Sequence, residues 1–216
     1  RTRELVLYLS KGCALTVVYL GAVHQNDIAT LNGMGARFGL VFLADGPRPI
    51  GAVLLKERFR RLFNESSPPA IYIVVKTELS FMLDAIPKNN VTIVDTNDLV
   101  SARTRSMAAH HVRDEFPLTR DEEIALLRRY DRVICIQPAE HAAVADWLGP
   151  DKAILAPHPV RAEAIAPRPA AAVIGFVASR WHANVDGLAW FIEQVWPALI
   201  ATGLRLDVYG YVCEAF

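Results

Sequence analysis

Cysteine is scarce in this chain. Three occur in 216 residues, at Cys13, Cys135 and Cys213, and no two stand as a CxxC pair. That spacing excludes a disulfide scaffold and a thiolate zinc site, and it suits a reducing compartment such as the cytoplasm. Cys135 lies inside an apolar run, where a small buried thiol is expected. An excess of charge is also missing. Lys plus Arg and Asp plus Glu each number 23, so the formal charge is zero and no electrostatic footprint for nucleic acid exists. No apolar run approaches the roughly 20 residues needed to cross a bilayer. The opening RTRELVLYLSKG has neither the apolar core nor the cleavage site of a signal peptide and reads as a helix already under way. Internal repeats are absent.

What is present is apolar content of 52% with 21% charged residues, the composition of a soluble globular protein. Strand-like runs recur at Ala14–Leu20, Phe38–Leu43, Ile71–Val75, Val91–Asp95, Arg132–Ile136, Ala153–Ala156, Val173–Ala178 and Leu204–Tyr209. Several are continuous rather than alternating, as strands covered on both faces require. Helix-like segments separate most of them: Thr2–Ser10, Pro49–Phe63, Thr119–Arg129 and Pro138–Leu148. The third opens T-R-D-E, a capping box of Thr119 with Glu122. A further helix is read from the loop 179–184 onward, with Leu188, Phe191, Ile192, Val195, Leu199 and Ile200 at helical spacing. Alternating strands and helices predict an α/β fold with a parallel sheet.

The stretch PHPVRAEAIAPRPAAA breaks the rhythm with four prolines and no periodic apolar face. It reads as a linker over residues 157–171. On this reading residues 1–156 form a nearly complete Rossmann-like domain, and residues 172–216 open a second one with a single βαβ unit. Such a unit leaves a strand edge and apolar helix surface uncovered, so dimerisation, domain exchange or loose packing is expected.

Ligands of open α/β sheets sit beyond the carboxyl ends of the strands, which ranks the loops. The first candidate is VTIVDTNDLVSAR, where Asp95, Asn97, Asp98 and Arg103 gather at one strand end. Carboxylates there bind sugar hydroxyls, orient a reacting group or hold a metal; the plain alternative is that Asp and Asn cap the next helix. The second is SRWHAN, where Ser179, Arg180 and a helix N-terminus form a seat for phosphate; alternatively Asn184 caps that helix. In the third, QPAE, Pro138 and Glu140 are read as helix initiators. Weaker signals are set aside. Gly33, Gly35 and Gly39 have the wrong spacing for a dinucleotide fingerprint and precede a strand. His110, His111, Asp114 and Glu115 are adjacent, and adjacent histidines on a helix point apart, so no metal is assigned. KERFRR at 56–61 reads as a solvated helix face.

Four segments in order resemble the family-4-like glycosyltransferases of GT-B fold. RTRELVLYLSKGCALTVVYL is similar to that family's first helix and second strand, with Lys11-Gly12-Cys13 where R-G-H is usual. VTIVDTNDLVSAR resembles its D-T-x-D…R segment. RYDRVICIQPAEHAAVADWLGPDKAILAPHPV resembles its AD-x-V-I-x-x-S-x-x-E strand and helix. VIGFVASRWHANVDGLAWFIEQVWPAL resembles the opening of its donor domain. Three positions depart from the pattern: Ala178 replaces a glycine, Asn97 a histidine and Ala183 a proline.

The resemblance implies a transferase that moves a sugar from a nucleotide-sugar donor to a glycan, lipid-linked or other acceptor with retained stereochemistry, in polysaccharide or glycoconjugate synthesis. It implies two Rossmann-like domains, no cofactor and no essential metal, the nucleotide-sugar being a substrate. Asp95, Asn97, Asp98 and Arg103 would line the acceptor side, with Asp95 and Asp98 the candidate catalytic groups. Ser179, Arg180 and Asn184 would face the donor phosphates. An acceptor on a lipid carrier implies peripheral contact with the inner face of the membrane. The same resemblance places a glycine-rich loop before Arg1 and the rest of the donor site after Phe216, so this chain alone is expected to be inactive. Three other readings compete: a GT-B sugar epimerase, a metal-dependent GT-A transferase, for which Asp95-Thr-Asn-Asp98 lacks D-x-D spacing, and a non-catalytic Rossmann-like scaffold.

Overall fold

The computed structural model describes residues 2–20, 29–30, 32–33, 37–41, 52–64, 69–158 and 172–216. The chain divides into two compact units, Arg1–Val160 and Arg161–Phe216. Most of the proline-rich stretch 157–171 and the glycines at 35 and 46 lie outside the described residues.

In the first unit, helix α1 (Thr2–Leu9) leads into strand β1 (Thr16–Leu20), which pairs in parallel with β2 (Arg37–Val41). Helix α2 (Ala52–Asn64) precedes a four-stranded parallel sheet in the order β3 (Ile71–Val75), β4 (Val91–Asp95), β5 (Arg132–Cys135), β6 (Ala153–Leu155). Helices α3 (Val100–Ala109), α4 (Arg120–Leu127) and α5 (Pro138–Leu148) connect these strands. The α/β class and the parallel sheet agree with the reading of the sequence. Parallel strands need crossovers of a dozen residues or more, and the helices supply them while covering the sheet.

The connection between β3 and β4 differs from an α-helix. Thr77–Ala85 winds as a 3₁₀ segment and buries Thr77, Ser80, Met82 and Ala85. Its buried Ser80 accepts a 2.8 Å hydrogen bond from the hydroxyl of Tyr130, which is itself almost fully buried. Its last turn carries Asp84, which binds Lys56 and Arg129, while Arg60 donates to the Asp84 carbonyl. KERFRR is therefore not a merely solvated face: Lys56 and Arg60 tie α2 to this segment. The core beneath is built from Leu55 and Phe59 of α2, Tyr72 and Val74 of β3, Val94 of β4, Val133 and Cys135 of β5, Leu127 of α4 and Val144 of α5.

Local signals explain the helix starts. Thr119 and Glu122 form the expected capping box, each side chain serving the other's backbone amide. Pro138 occupies the first helical turn of α5, where no amide is needed, and Gly149 ends the helix at φ 97°.

The second unit pairs β7 (Val173–Val177) in parallel with β8 (Arg205–Tyr209). Between them runs helix α6 (His182–Trp190), then a π-helical turn at Phe191–Val195, then the short helix α7 (Trp196–Ile200). The single long helix read from the sequence is thus interrupted. Pro197 supplies the reason: its ring clashes with the carbonyl four residues back and it has no N–H, so the helix widens for one turn before it. Among the described residues this sheet has two strands, and Val177 (78% exposed), Trp190 (60%) and Ile200 (58%) stand at the surface. Gly210 follows β8 at φ 93°. A Cβ there would lie 2.4 Å from the carbonyl oxygen of Ala178, so the ends of both strands meet backbone to backbone. The Ala178 amide donates to Tyr209 and the Val212 amide to Ala178 across that contact.

Candidate functional site

All four strands of the larger sheet run parallel, so their carboxyl ends share one edge. The central strands β4 and β5 bring the Thr96–Arg103 and Ile136–Glu140 segments side by side there. The Thr96 amide and hydroxyl both donate to the Ile134 carbonyl, at 3.2 and 3.1 Å, and the Lys76 amide donates to the Asp95 carbonyl at 2.8 Å. Two non-glycine residues at this edge have left-handed backbones, Lys76 at φ 78° and Asn97 at φ 62°. Asparagine enters that region far more readily than most residues, which is a physical role for Asn at 97.

The four residues expected at this edge fall into two groups. Asp98 and Arg103 are joined by a 3.1 Å ion pair. Asn97 lies half-buried in the turn before them. Asp95 is 1% exposed and sits beneath the edge rather than on it. The guanidinium of Arg103 is a hub: Nη1 meets Asp98, Nη2 meets Glu78 at 3.1 Å, and Nε meets Asp114 at 3.2 Å. Burial works against its charge, but Asp114, Asp98 and Glu78 outweigh burial and raise its pKa. Arg103 is thereby a cross-link between the segment after β3, the loop after β4 and the loop after α3. Of its three acids, Asp98 has the most exposed side chain, at 40%, against 26% for Glu78 and 6% for Asp114.

Neither Asn97 nor Asp98 caps α3. Leu99 holds the capping position and offers no side-chain bond. The free amides are met instead by distant carboxylates. Glu123, fully buried on α4, accepts from the Val100 amide at 2.7 Å and the Ser101 amide at 3.0 Å, and it also accepts the Ser101 hydroxyl. Glu140 accepts from the Leu99 amide at 3.3 Å. Two protein carboxylates thus occupy the anion seat that the helix dipole creates. Glu140 was read as a helix initiator, yet its Oε1 bonds another element and its Oε2 is buried with no hydrogen-bond partner. Burial raises its pKa; the Leu99 and Ile136 amides oppose the rise, and Asp98 and Glu123 add to it.

Glu78, Asp114 and Glu123 were not assigned to this edge from the sequence. Glu78 sits in a segment without helical periodicity, Asp114 lay in the discarded His-Asp-Glu cluster, and Glu123 resembled an ordinary first-turn acid. Nothing local distinguishes a carboxylate that caps its own helix from one that caps another. Among the described residues, no three His, Cys, Asp or Glu side chains converge as metal ligands.

In the second unit, the expected phosphate seat has a tied loop. The Asn184 Nδ2 donates to the Ser179 carbonyl at 3.1 Å and to the Ser179 Oγ at 3.2 Å. Asn184 therefore fastens the loop and does not cap the helix; Trp181 holds the capping position without a side-chain bond. Arg180 is exposed and pairs with Glu214 at 3.6 Å, a surface contact of little energetic weight. Ser179, Arg180 and Asn184 are brought to one strand end, with the Trp181 and His182 rings 4.7 Å apart beside them.

Compared with known proteins, the chain matches no family model and no curated relative. Among the described residues, no helix is long and apolar enough to cross a membrane.

Proposed function

We propose that the chain belongs to a GT-B glycosyltransferase and contributes its acceptor-side domain together with the opening of its donor domain. The observation that carries this reading is positional. The segment VTIVDTNDLVSAR puts its polar residues at the carboxyl edge of a parallel sheet, where open α/β folds bind ligands. Asn97 and Asp98 are partly exposed there, Asp98 at 40% of its side chain, and their polar atoms suit a sugar's hydroxyls. Arg103 acts behind them by holding Asp98, and Asp95 supports the turn from below. In the second unit, a strand, a tied Ser179–Asn184 loop and a helix N-terminus suit a diphosphate, with Arg180 adding charge on exchange from Glu214. The leaving diphosphate is stabilised by the helix dipole and basic groups, which needs no metal.

Calorimetric titration of UDP-, GDP- and dTDP-hexoses into the intact protein, with EDTA present, tests the proposal. Metal-free binding of one nucleotide class, weakened by Ser179→Ala and Asn184→Ala, is the expected result. Binding that appears only with Mn²⁺ would replace this reading by the metal-dependent one. No binding under either condition would leave a scaffold.

A further inference from the structure

Lys76 stands in a backbone conformation that its residue type does not favour. It follows β3 at φ 78° and ψ 134°. That combination lies outside the small left-handed region that asparagine tolerates and near the one that glycine alone enters freely. A residue with a Cβ is strained there, and glycine would relieve the strain. The fold gives a reason for the turn at the backbone only. The Lys76 amide donates to the Asp95 carbonyl at 2.8 Å, and the Lys76 carbonyl accepts from the Leu79 amide at 3.1 Å, which carries the chain from β3 into the 3₁₀ segment. Glycine would make both bonds. The lysine side chain takes no part in them. It is exposed, it makes no capping bond to the segment it precedes, and among the described residues its ammonium enters no ion pair. The partly exposed acids Glu78 and Asp98 are both held by Arg103 at 3.1 Å. Next to Lys76, the Thr77 hydroxyl is fully buried and has no hydrogen-bond partner among the described residues. The turn after β3 thus carries an ammonium and a hydroxyl that the fold leaves unused, at the edge where open α/β sheets bind ligands.

We infer that Lys76 is a ligand-contacting residue, and that its ammonium binds an oxyanion, a phosphate or carboxylate group of a small molecule seated on the carboxyl edge of the larger sheet. A side chain held at the expense of backbone strain, with no bond to the fold, acts on something outside it. An ammonium offers three donors, a full charge and no acceptor, so an anionic oxygen is its best partner. Its stem starts from a backbone fixed on both sides, at the Asp95 carbonyl and at the Leu79 amide. Glu78 and Asp98 are the acids that could compete with the ligand for this ammonium, and their engagement by Arg103 leaves it available. No sugar or nucleotide enters this argument, so it stands or falls apart from the glycosyltransferase reading.

Nuclear magnetic resonance on the full chain tests it. Inorganic phosphate and acetate are titrated separately at constant ionic strength, and the Thr77 and Glu78 amides are followed. At least one anion should shift these amides saturably, and the one that does so names the class. Lys76→Gln keeps the strain and loses the charge, and should weaken that binding about tenfold. Lys76→Arg should retain it. Lys76→Gly should weaken it as much as Lys76→Gln does, yet raise the urea midpoint by about 0.5 M, since relief of strain outweighs the freedom that glycine adds to the unfolded chain. No saturable shift with either anion would overturn the inference, as would binding unchanged in Lys76→Gln. A Lys76→Gly midpoint below that of the unaltered chain would overturn it too, because the side chain would then serve the fold. The Gln and Arg variants alter only an exposed side chain and decide the binding without the glycine variant.

Discussion

Replacing Glu123 by alanine removes a cap that belongs to a different helix. In the native chain one carboxylate serves two backbone amides and a hydroxyl, all buried. Hydrogen bonds to a charged group contribute about 1.5–3 kcal/mol each, and a buried donor left unsatisfied costs about 1–3 kcal/mol. Loss of an ordinary N-cap costs about 0.5–2 kcal/mol. The Ser101 hydroxyl can rotate to a new acceptor, and water can enter the space left behind, so the full sum is not reached. Glu123→Ala should therefore destabilise the first unit by roughly 3 kcal/mol, a large share of the 5–15 kcal/mol typical of a domain. With a urea m-value of about 2 kcal/mol/M, the unfolding midpoint should fall by about 1.5 M. Glu123→Gln should cost about half as much. Its carbonyl keeps the Val100 amide and its NH₂ can donate to the Ser101 hydroxyl, but the Ser101 amide loses its acceptor. Urea unfolding followed by far-UV circular dichroism gives the magnitude, and hydrogen exchange at Val100 and Ser101 localises it. An alanine midpoint within about 0.3 M of the unaltered chain would refute the reasoning, as would unchanged exchange at both amides.

Gly210→Ala should destabilise the second unit by at least ~2 kcal/mol, because its φ of 93° is strained for alanine and the new methyl meets the Ala178 carbonyl; an unmoved urea midpoint with intact Val212 exchange would sink this. At pH 8, Cys13 and Cys213 should react with a disulfide reagent in the native chain. Cys135 should wait for unfolding, since burial, with Glu140 and Asp95 adding to it, pushes its thiol up to about 12; three fast thiols would contradict the structure. Stability should respond to pH on two sides. Asp131 is held below 3.8, chiefly by the Thr92 amide, so its contribution is present above 3.8 and lost as pH falls through the lowered value. Glu140 lies above 4.5, so its contribution is full below 4.5 and lost as pH rises through the raised value. Urea midpoints of Glu140→Gln minus the unaltered chain should therefore grow from pH 4.5 towards neutrality, and a constant difference would refute the assignment.

Much of the architecture was legible in the residues. Val91–Asp95 and Ile71–Val75 read as strands because they are short runs rich in β-branched residues, which pack well in a sheet. Thr119 with Glu122 marks a helix start through bonds that close within four residues. The unread parts have a common cause. Thr77–Ala85 carries apolar residues without a helical period, so nothing local signals its 3₁₀ course. The periodic apolar positions after Leu188 conceal the π turn that Pro197 imposes. Asn97 and Asp98 carry the residue types of a cap, and sequence alone does not show that Leu99 takes that place.

Local chemistry by itself determined most of the strands and several of the helices, that they alternate, and at which strand ends the polar groups stand. Those choices rest on period, caps and turns, all of which act over a few residues. Tertiary structure alone decided which acid meets which amide. Glu123 reaches Val100 across 23 positions and Glu140 reaches Leu99 across 41. The difference between a first-turn acid and a cross-helix cap lies in the packing of α4 and α5 against the end of β4, because a carboxylate's role is set by the donors that folding carries to it.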